Sequence, residues 1–506
     1  MSSDWSRASN PVPLPWRPVR WIWGRTARWL SRLHRWLGVC FCLLLVMWFG
    51  TGFVMMYVPF PALGETDRLA ALPPLRLDAV TVAPSMVLEG LPTARLRLVQ
   101  TLDRPRYLVT LEDGGVRSIA ADGRGTPAPL DAAAAARVAA RFAQRPARAV
   151  SDSFDHDQWV VHQRFDPARP FHRVELGDAA GTELYVSRRL GQVVQRTTRC
   201  ERGWNYVGAV AHWIYPTVLR KRHAAWDTVV WWLALGALAA TLTGYALGVL
   251  RWLNLRRSGR RGLSPFRGWL RWHHVLGLSA GLFSLSWLFS GWLSMDHGRL
   301  FSLDQPPAPR HALLRGGSLA SAFAGLGAQD LAPLAGAREL EFFVVAGQGY
   351  ILRRAADGSE RLMPVVDGRM EGAIDAVPDG LLLGAVQAAY APARTLGIET
   401  IDPHDPYART RSDPLPDSAR RVRLADAGAT WVHVDARNGR ILSQMDDSRR
   451  LYRWLYAGLH NFDLPLLSDS GMVRQAAMLS ALVAGLGLSV SAVVLALRRV
   501  GRRKRS

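Results

Sequence analysis

Two stretches of the chain repeat each other, and both keep histidine in the same places. Leu33-His34-Arg35-Trp36-Leu37-Gly38 opens one apolar segment, and Trp272-His273-His274-Val275-Leu276-Gly277 opens another, 239 residues later. A longer match runs without a gap from Arg173-Val174-Glu175-Leu176 through His212 onto Arg421-Val422-Arg423-Leu424 through His460, at an offset of 248. Within it Asp178 meets Asp426, Thr182 meets Thr430, Val186 meets Val434 and Gly191 meets Gly439. Internal repeats of this length define architecture before local signals do. Histidine repeated on apolar segments suits paired axial ligation of haem iron, because neutral imidazole is a good donor and two of them leave no open position for oxygen. The sequence holds no Cys-x-x-Cys-His, so covalent c-type attachment is excluded and b-type haem is the form expected. It also offers no acid/base pair, nucleophile or phosphate loop that would indicate hydrolysis or group transfer.

Depth decides how the histidines pair. His34 and His273 fall at the expected cytoplasmic mouths of two spans, and His212 and His460 at the outer face. A helical rise of about 1.5 Å per residue separates the two levels by roughly 30 Å, too far for one haem. The expected pairs are therefore His34 with His273 and His212 with His460, giving two haems. His274 competes with His273, but its counterpart in the repeat is Arg35. His297 and His223 rank lower, with Val58 and Gly471 opposite them. His156, His162, His172, His311, His404 and His433 read as surface residues. Arg32, Arg35 and Arg271 stand beside the inner histidines, and Arg222, Arg450 and Arg453 near the outer ones, where arginine could pair with haem propionates. The plainer reading of these arginines is membrane topology.

Four apolar runs must position these residues. Trp36 to Val58, Val229 to Leu250, Val275 to Met295 and Ala476 to Leu497 each carry about 21 to 23 residues without a charge, enough to cross the ~30 Å hydrocarbon layer as a helix. The net charge of +22 concentrates in residues 1–35, 251–271 and 498–506, which hold almost no acid. By the positive-inside rule these segments, and both termini, are cytoplasmic. The same basic segments suit anionic membrane lipid, and nothing favours nucleic acid. The first span reads as a retained signal anchor, since its lead is too long for a cleaved signal peptide. Three cysteines, two of them within the first span, give neither a disulfide framework nor a zinc site. Many of the 20 tryptophans stand at span ends, as in an interfacial belt.

The expected order is a basic lead 1–35, a span 36–58, an external domain 59–200, an interfacial helix and linker 201–228 and a span 229–250. A basic loop 251–274 joins this half to a second: span 275–295, external domain 296–448, interfacial helix and linker 449–475, span 476–497 and basic tail 498–506. In the first external domain, Arg95 to Gln100 and Arg106 to Glu112 alternate like strands. Asp131 to Ala143 reads as a helix capped by Asp131, and a hairpin joins His172–Gly177 to Glu183–Arg188. The second repeats the plan with strands Leu340–Val345 and Tyr350–Arg354, a helix Asp379–Tyr390 and a hairpin from Arg421–Ala425 to Thr430–Asp435. Segments 59–90, 303–335 and 402–419, rich in proline and small residues, read as linkers or loops. Trp204–Tyr215 and Leu451–Phe462 are apolar and aromatic, and Pro216 or Pro465 stops each. The matched spans point the same way, so the symmetry axis should run along the membrane normal.

The His-Arg-Trp-Leu-Gly opening of span one, its second copy at His273 and the Leu242-Thr243-Gly244 ending of span two resemble the PepSY-associated transmembrane family. The hairpins Val174–Gly191 and Val422–Gly439 look like PepSY domains. The resemblance covers about residues 30 to 500. It implies an α-helical membrane protein with four transmembrane helices in two pseudo-symmetric halves and two periplasmic α+β PepSY-like domains, in the bacterial inner membrane. Members are iron-regulated, and some are di-haem ferric-siderophore reductases. The family pattern would make His34, His212, His273 and His460 the ligands of two haems b, with a ferric siderophore as substrate and ferrous iron as product. The fourth span departs from it, reading Leu488-Ser489-Val490-Ser491-Ala492 where span two has Thr-Gly. No flavin or nicotinamide motif is present, so electrons would come from a quinol or a cytoplasmic reductase. The alternative from another class is a non-redox membrane module that regulates a periplasmic protease.

Overall fold

The structure is a computed structural model that describes residues 17–102, 104–125, 127–301, 310–408, 414–468 and 470–503. The basic lead through residue 16 and the last three residues of the tail lie outside the described residues, as do the side chains of Trp21 and Trp23. The chain divides into two compact units, one formed by residues 1–50, 231–292 and 475–506, the other by 51–230 and 293–474.

The first unit is helical. Among the described residues three helices are long and apolar enough to cross a membrane, Thr26–Tyr57, His223–Arg257 and Gly471–Gly501, or four if a bent pair counts as one span. That pair is the expected third span. It is broken into Gly268–Ser279 and Gly281–Leu293, which meet at 63°. The break falls at Ser279-Ala280-Gly281, where small side chains leave the backbone weakly supported. Tyr245 approaches the bend so closely that a Cβ on Gly281 would lie 2.8 Å from its ring. Small residues bring other helices together too. Ideal Cβ atoms on Gly236 and Gly485 would lie 2.3 Å from the rings of Phe41 and Phe49, the close approach that membrane helices use in place of a hydrophobic driving force. Large apolar side chains such as Leu43, Trp232, Leu282 and Val483 stay exposed, as suits contact with lipid.

The second unit is α+β, with three antiparallel sheets among the described residues. Its centre is a seven-stranded sheet in the order Arg369–Met370, Glu360–Val366, Gln348–Arg354, Glu339–Val345, Thr93–Gln100, Pro105–Leu111, Val116–Ala120. The two expected external domains therefore share one sheet, joined where Leu98 pairs with Leu340 and Leu96 with Phe342. Of the segments expected to be linkers or loops, 402–419 is loop in its described part up to the strand that begins at Ala419, while 59–90 and 303–335 are corrected here. These two form short helices, including Pro84–Leu88, Leu319–Ala322 and Gln329–Leu334. Their buried Val87, Leu88, Leu319 and Leu331 cover one face of the sheet. The other face carries two four-stranded sheets. Phe171 and Tyr185 pack on Val99 and Leu108, while Val422 and Val432 pack with Phe343 and Tyr350. The expected helices are present as Ala132–Ala143, with Asp131 accepting from the Ala134 amide at 2.7 Å, and Asp379–Tyr390.

The two matched hairpins close on the same turn. Asp178 accepts from the Thr182 amide and hydroxyl, both at 2.7 Å. Asp426 accepts from the Thr430 amide at 2.7 Å and hydroxyl at 2.6 Å. Each hairpin continues through a third strand into a helix capped at matching positions, by Thr198 and by Asp446. These helices carry the other two histidines.

Candidate functional site

In the helical unit, His34 and His273 face each other with ring centroids 6.3 Å apart and planes 30° from parallel. His34 comes from the first long helix and His273 from the helix before the bend. The two rings are oriented through Nδ1. His34 Nδ1 lies 3.0 Å from the Ala240 carbonyl oxygen. A carbonyl can only accept, so Nδ1 carries the proton and Nε2 keeps its lone pair. His273 Nδ1 lies 2.9 Å from Ser491 Oγ. Ser491 Oγ donates its own hydrogen to the Leu488 carbonyl at 2.6 Å, so it accepts from His273. Both imidazoles thus hold the tautomer that leaves Nε2 available to a metal.

The spacing would admit a metal held by both rings. With metal–nitrogen bonds of about 2.0–2.1 Å and a ring centre about 1.1 Å behind each nitrogen, two imidazoles sharing one ion between them would have centroids about 6.3 Å apart. Gly244 makes room for His34, since a Cβ there would lie 2.5 Å from its Cε1. The Thr243-Gly244 and Ser491-Ala492 pairs, unlike in sequence, are thereby given different tasks. Gly244 is relief for the ring of His34, and Ser491 is the acceptor for His273.

His274 behaves differently from its neighbour. Its Nε2 donates to the Gly248 carbonyl at 3.1 Å, and its ring packs edge-on against Phe266. That bond takes the nitrogen His273 keeps open. The other lower-ranked histidines sit in the α+β unit. His297 Nδ1 is 2.5 Å from Asp227 Oδ2, and His223 lies against Trp226. Arg32, Arg35 and Arg271 are exposed one or two residues from the facing histidines, with Arg35 Nε donating to the Ser31 carbonyl at 3.0 Å.

His212 and His460 each end a short helix that contains a π-turn, Tyr206–Val210 in one and Trp454–Gly458 in the other. A π-turn carries one extra residue and is frequent at functional sites. Two residues beyond each histidine, Ile214 and Phe462 take left-handed backbone angles, φ 49° and φ 51°. The chain therefore turns before Pro216 or Pro465 is reached. A glycine inside each π-turn admits a close neighbour. A Cβ on Gly208 would lie 2.8 Å from Val54, and one on Gly458 3.2 Å from Leu464. His212 Nδ1 shares a 2.8 Å hydrogen bond with the buried Thr51 hydroxyl. His460 packs on Tyr456 with centroids 5.8 Å apart.

Three expectations about single residues are corrected. His172 and His433 are buried rather than on the surface. His433 sits between Arg421 Nε, 3.0 Å from its Nε2, and Ser443 Oγ, 2.7 Å from its Nδ1. Burial, helped by the Arg421 charge, pushes its pKa down to about 4. Arg453 is also buried and occupied, donating to the Pro406 and Asp463 carbonyls at 2.9 and 2.6 Å and pairing with the Asp463 carboxylate. It is a structural residue of the π-turn helix. Among the described residues no group of three or more His, Cys, Asp or Glu could hold a metal ion. The chain matches no protein-family model, and no curated protein matches it.

Proposed function

We propose that the chain is an inner-membrane di-haem b protein that passes electrons across the bilayer and reduces ferric siderophores in the periplasm, releasing ferrous iron. One observation carries this reading: His34 and His273 face each other at 6.3 Å, with each Nδ1 engaged and each Nε2 left open. When bound, haem supplies one-electron transfer at a potential set by its axial ligands and their surroundings.

The chain's own residues do the rest. Ala240 and Ser491 hold the two inner imidazoles in one tautomer and orientation, which raises their donor strength. Arg32, Arg35 and Arg271, exposed within two residues of the inner pair, would take the carboxylates of the porphyrin edge in forked hydrogen bonds. His212 and His460 are the proposed second pair, presented on matching π-turns, with Thr51 steadying His212. In this reading the halves are related by a twofold axis along the membrane normal, four spans cross the bilayer and both termini are cytoplasmic. The resemblance to the PepSY-associated family supports the same assignment. A ferric chelate is held by hard oxygen donors and loses most of its affinity when the iron is reduced, so electron delivery alone frees the metal. A quinol or a cytoplasmic reductase would supply the electrons.

Stopped-flow mixing of the reduced protein with ferric siderophores tests the substrate assignment. The expected result is haem reoxidation matched by ferrous iron trapped with a chromogenic chelator. Absence of reoxidation by every ferric siderophore tried would end the substrate claim and leave the haem ligation to be judged separately.

A further inference from the structure

The α+β unit contains a cavity of about 410 Å³, within the range of about 300–1,000 Å³ typical of small-molecule sites. Six arginines line it: Arg68, Arg95, Arg97, Arg354, Arg437 and Arg440. Behind them, on the strand Glu339–Val345, lie two fully buried carboxylates, Glu339 and Glu341. Glu339 accepts from Arg68 and Arg354, both at 2.9 Å, and from Arg97 at 3.2 Å. Glu341 accepts from Arg95 at 2.7 and 3.0 Å, from Arg354 at 2.7 Å and from Arg440. Those two carboxylates are close to saturated, since each has about four acceptor sites.

The guanidinium groups are not saturated. Each presents five N–H donors, and Arg97 spends one, on Glu339. Arg68 Nη1 is buried with no hydrogen-bond partner. The remaining lining carboxylates take part of the donors of these same arginines or bond to neighbours. Glu65 takes Arg68, Glu360 takes Arg354 and Arg437, and Asp435 accepts from Ser418 and Asn438. Burial, with the neighbouring charges of Arg95 and Arg68, holds the Arg97 pKa down to about 10 against the opposing pull of Glu339 and Glu341. The mouth is reachable, because the side chains of Arg437 and Arg440 are 50% and 42% exposed.

We propose that this cavity binds a small multivalent oxyanion, carrying carboxylate or phosphate groups, in forked hydrogen bonds from Arg97 and from Arg437 and Arg440 at the rim. Planar guanidinium groups match such oxygens two at a time. The buried glutamates aim the arginines and keep them charged, and the anion would supply the acceptors that the remaining N–H donors lack. The site stands independently of the haem reading.

Isothermal titration of the purified full-length protein with citrate, and separately with pyrophosphate, at constant ionic strength tests this. Saturable binding of at least one is expected. Citrate alone would mark a carboxylate ligand, pyrophosphate alone a phosphate ligand, and both a general oxyanion site. Arg97→Gln and Arg437→Gln should each weaken binding about tenfold, the usual effect of losing a charge-assisted bond. Arg437 is at the rim and its loss leaves the buried network intact, so that variant decides the matter if Arg97→Gln does not fold. No saturable binding of either anion at millimolar concentration, or wild-type affinity in Arg437→Gln, overturns the proposal.

Discussion

His34 and His273 reach the same orientation by different means, and mutation can separate them. The acceptor for His34 is a backbone carbonyl, which no substitution removes. The acceptor for His273 is the Ser491 hydroxyl. Ser491→Ala should therefore weaken haem at the inner site about tenfold to a hundredfold, the usual cost of losing an outer partner of a metal-bound histidine. Haem-transfer titration to an apo-globin acceptor would read it. Ser491→Thr should restore affinity. A merely steric role would leave Ser491→Ala unchanged. Gly244→Val tests the other half of the pair. Its side chain would enter the space of the His34 ring, so one haem per chain should be lost and the other kept, as read by absorption of the purified protein. That His34 and His273 come together was legible from the repeat. Their tautomers were not, because they depend on partners about 200 residues away in sequence.

At the scale of elements, His212 and His460 each follow a π-turn, which we expect to set their direction. Deleting Ala209 would remove the extra residue of Tyr206–Val210 and turn His212 by about 100°, one residue of a 3.6-residue turn. We expect loss of outer-site haem with unchanged helix content by circular dichroism; retained haem would show that the π-turn does not set the aim of His212. The extra residue left no mark in the sequence, where an apolar aromatic run reads equally well as an α-turn. The bend at Ser279-Ala280-Gly281 was hidden likewise, since hydropathy registers polarity and not backbone support. The sheets carry a pH prediction. Folding holds the Glu339 carboxyl down to about 2 from 4.5, because burial is outweighed by the charges of Arg97, Arg68 and Arg354. Its contribution is complete above about pH 4.5 and is lost as pH falls towards 2. His433, held down to about 4 from 6.5 by burial, acts earlier. The unfolded chain binds its proton first, so stability falls from pH 6.5 to about 4, by on the order of 3 kcal/mol. Thermal melts from pH 8 to 3 should show both limbs, and His433→Gln should flatten the upper one. An unchanged upper limb in that variant would place the titration elsewhere.

For the whole molecule, membrane-length helices and antiparallel α+β regions were legible because each has a local signal, long charge-free runs in one case and alternation with turn residues in the other. The union of the two α+β regions in one sheet was not. Strands Thr93–Gln100 and Glu339–Val345 pair across some 240 residues, and edge-to-edge pairing has no local signature. One hint was available: Arg95-Leu96-Arg97 and Glu339-Leu340-Glu341 alternate with opposite charge, which suits neighbouring strands. The short helices over the sheet were hidden by their proline and glycine content, although their leucines fill the core. The repeat and the facing imidazoles lead to one claim above the others, that the molecule clamps two iron porphyrins between paired histidines. A pyridine haemochrome assay on protein purified from haem-replete cells tests it most directly. The account predicts close to two haems b per chain in the wild type and close to one in each of His34→Ala, His273→Ala, His212→Ala and His460→Ala. A colourless wild-type preparation, or full haem content in the His34 and His273 variants, would contradict it.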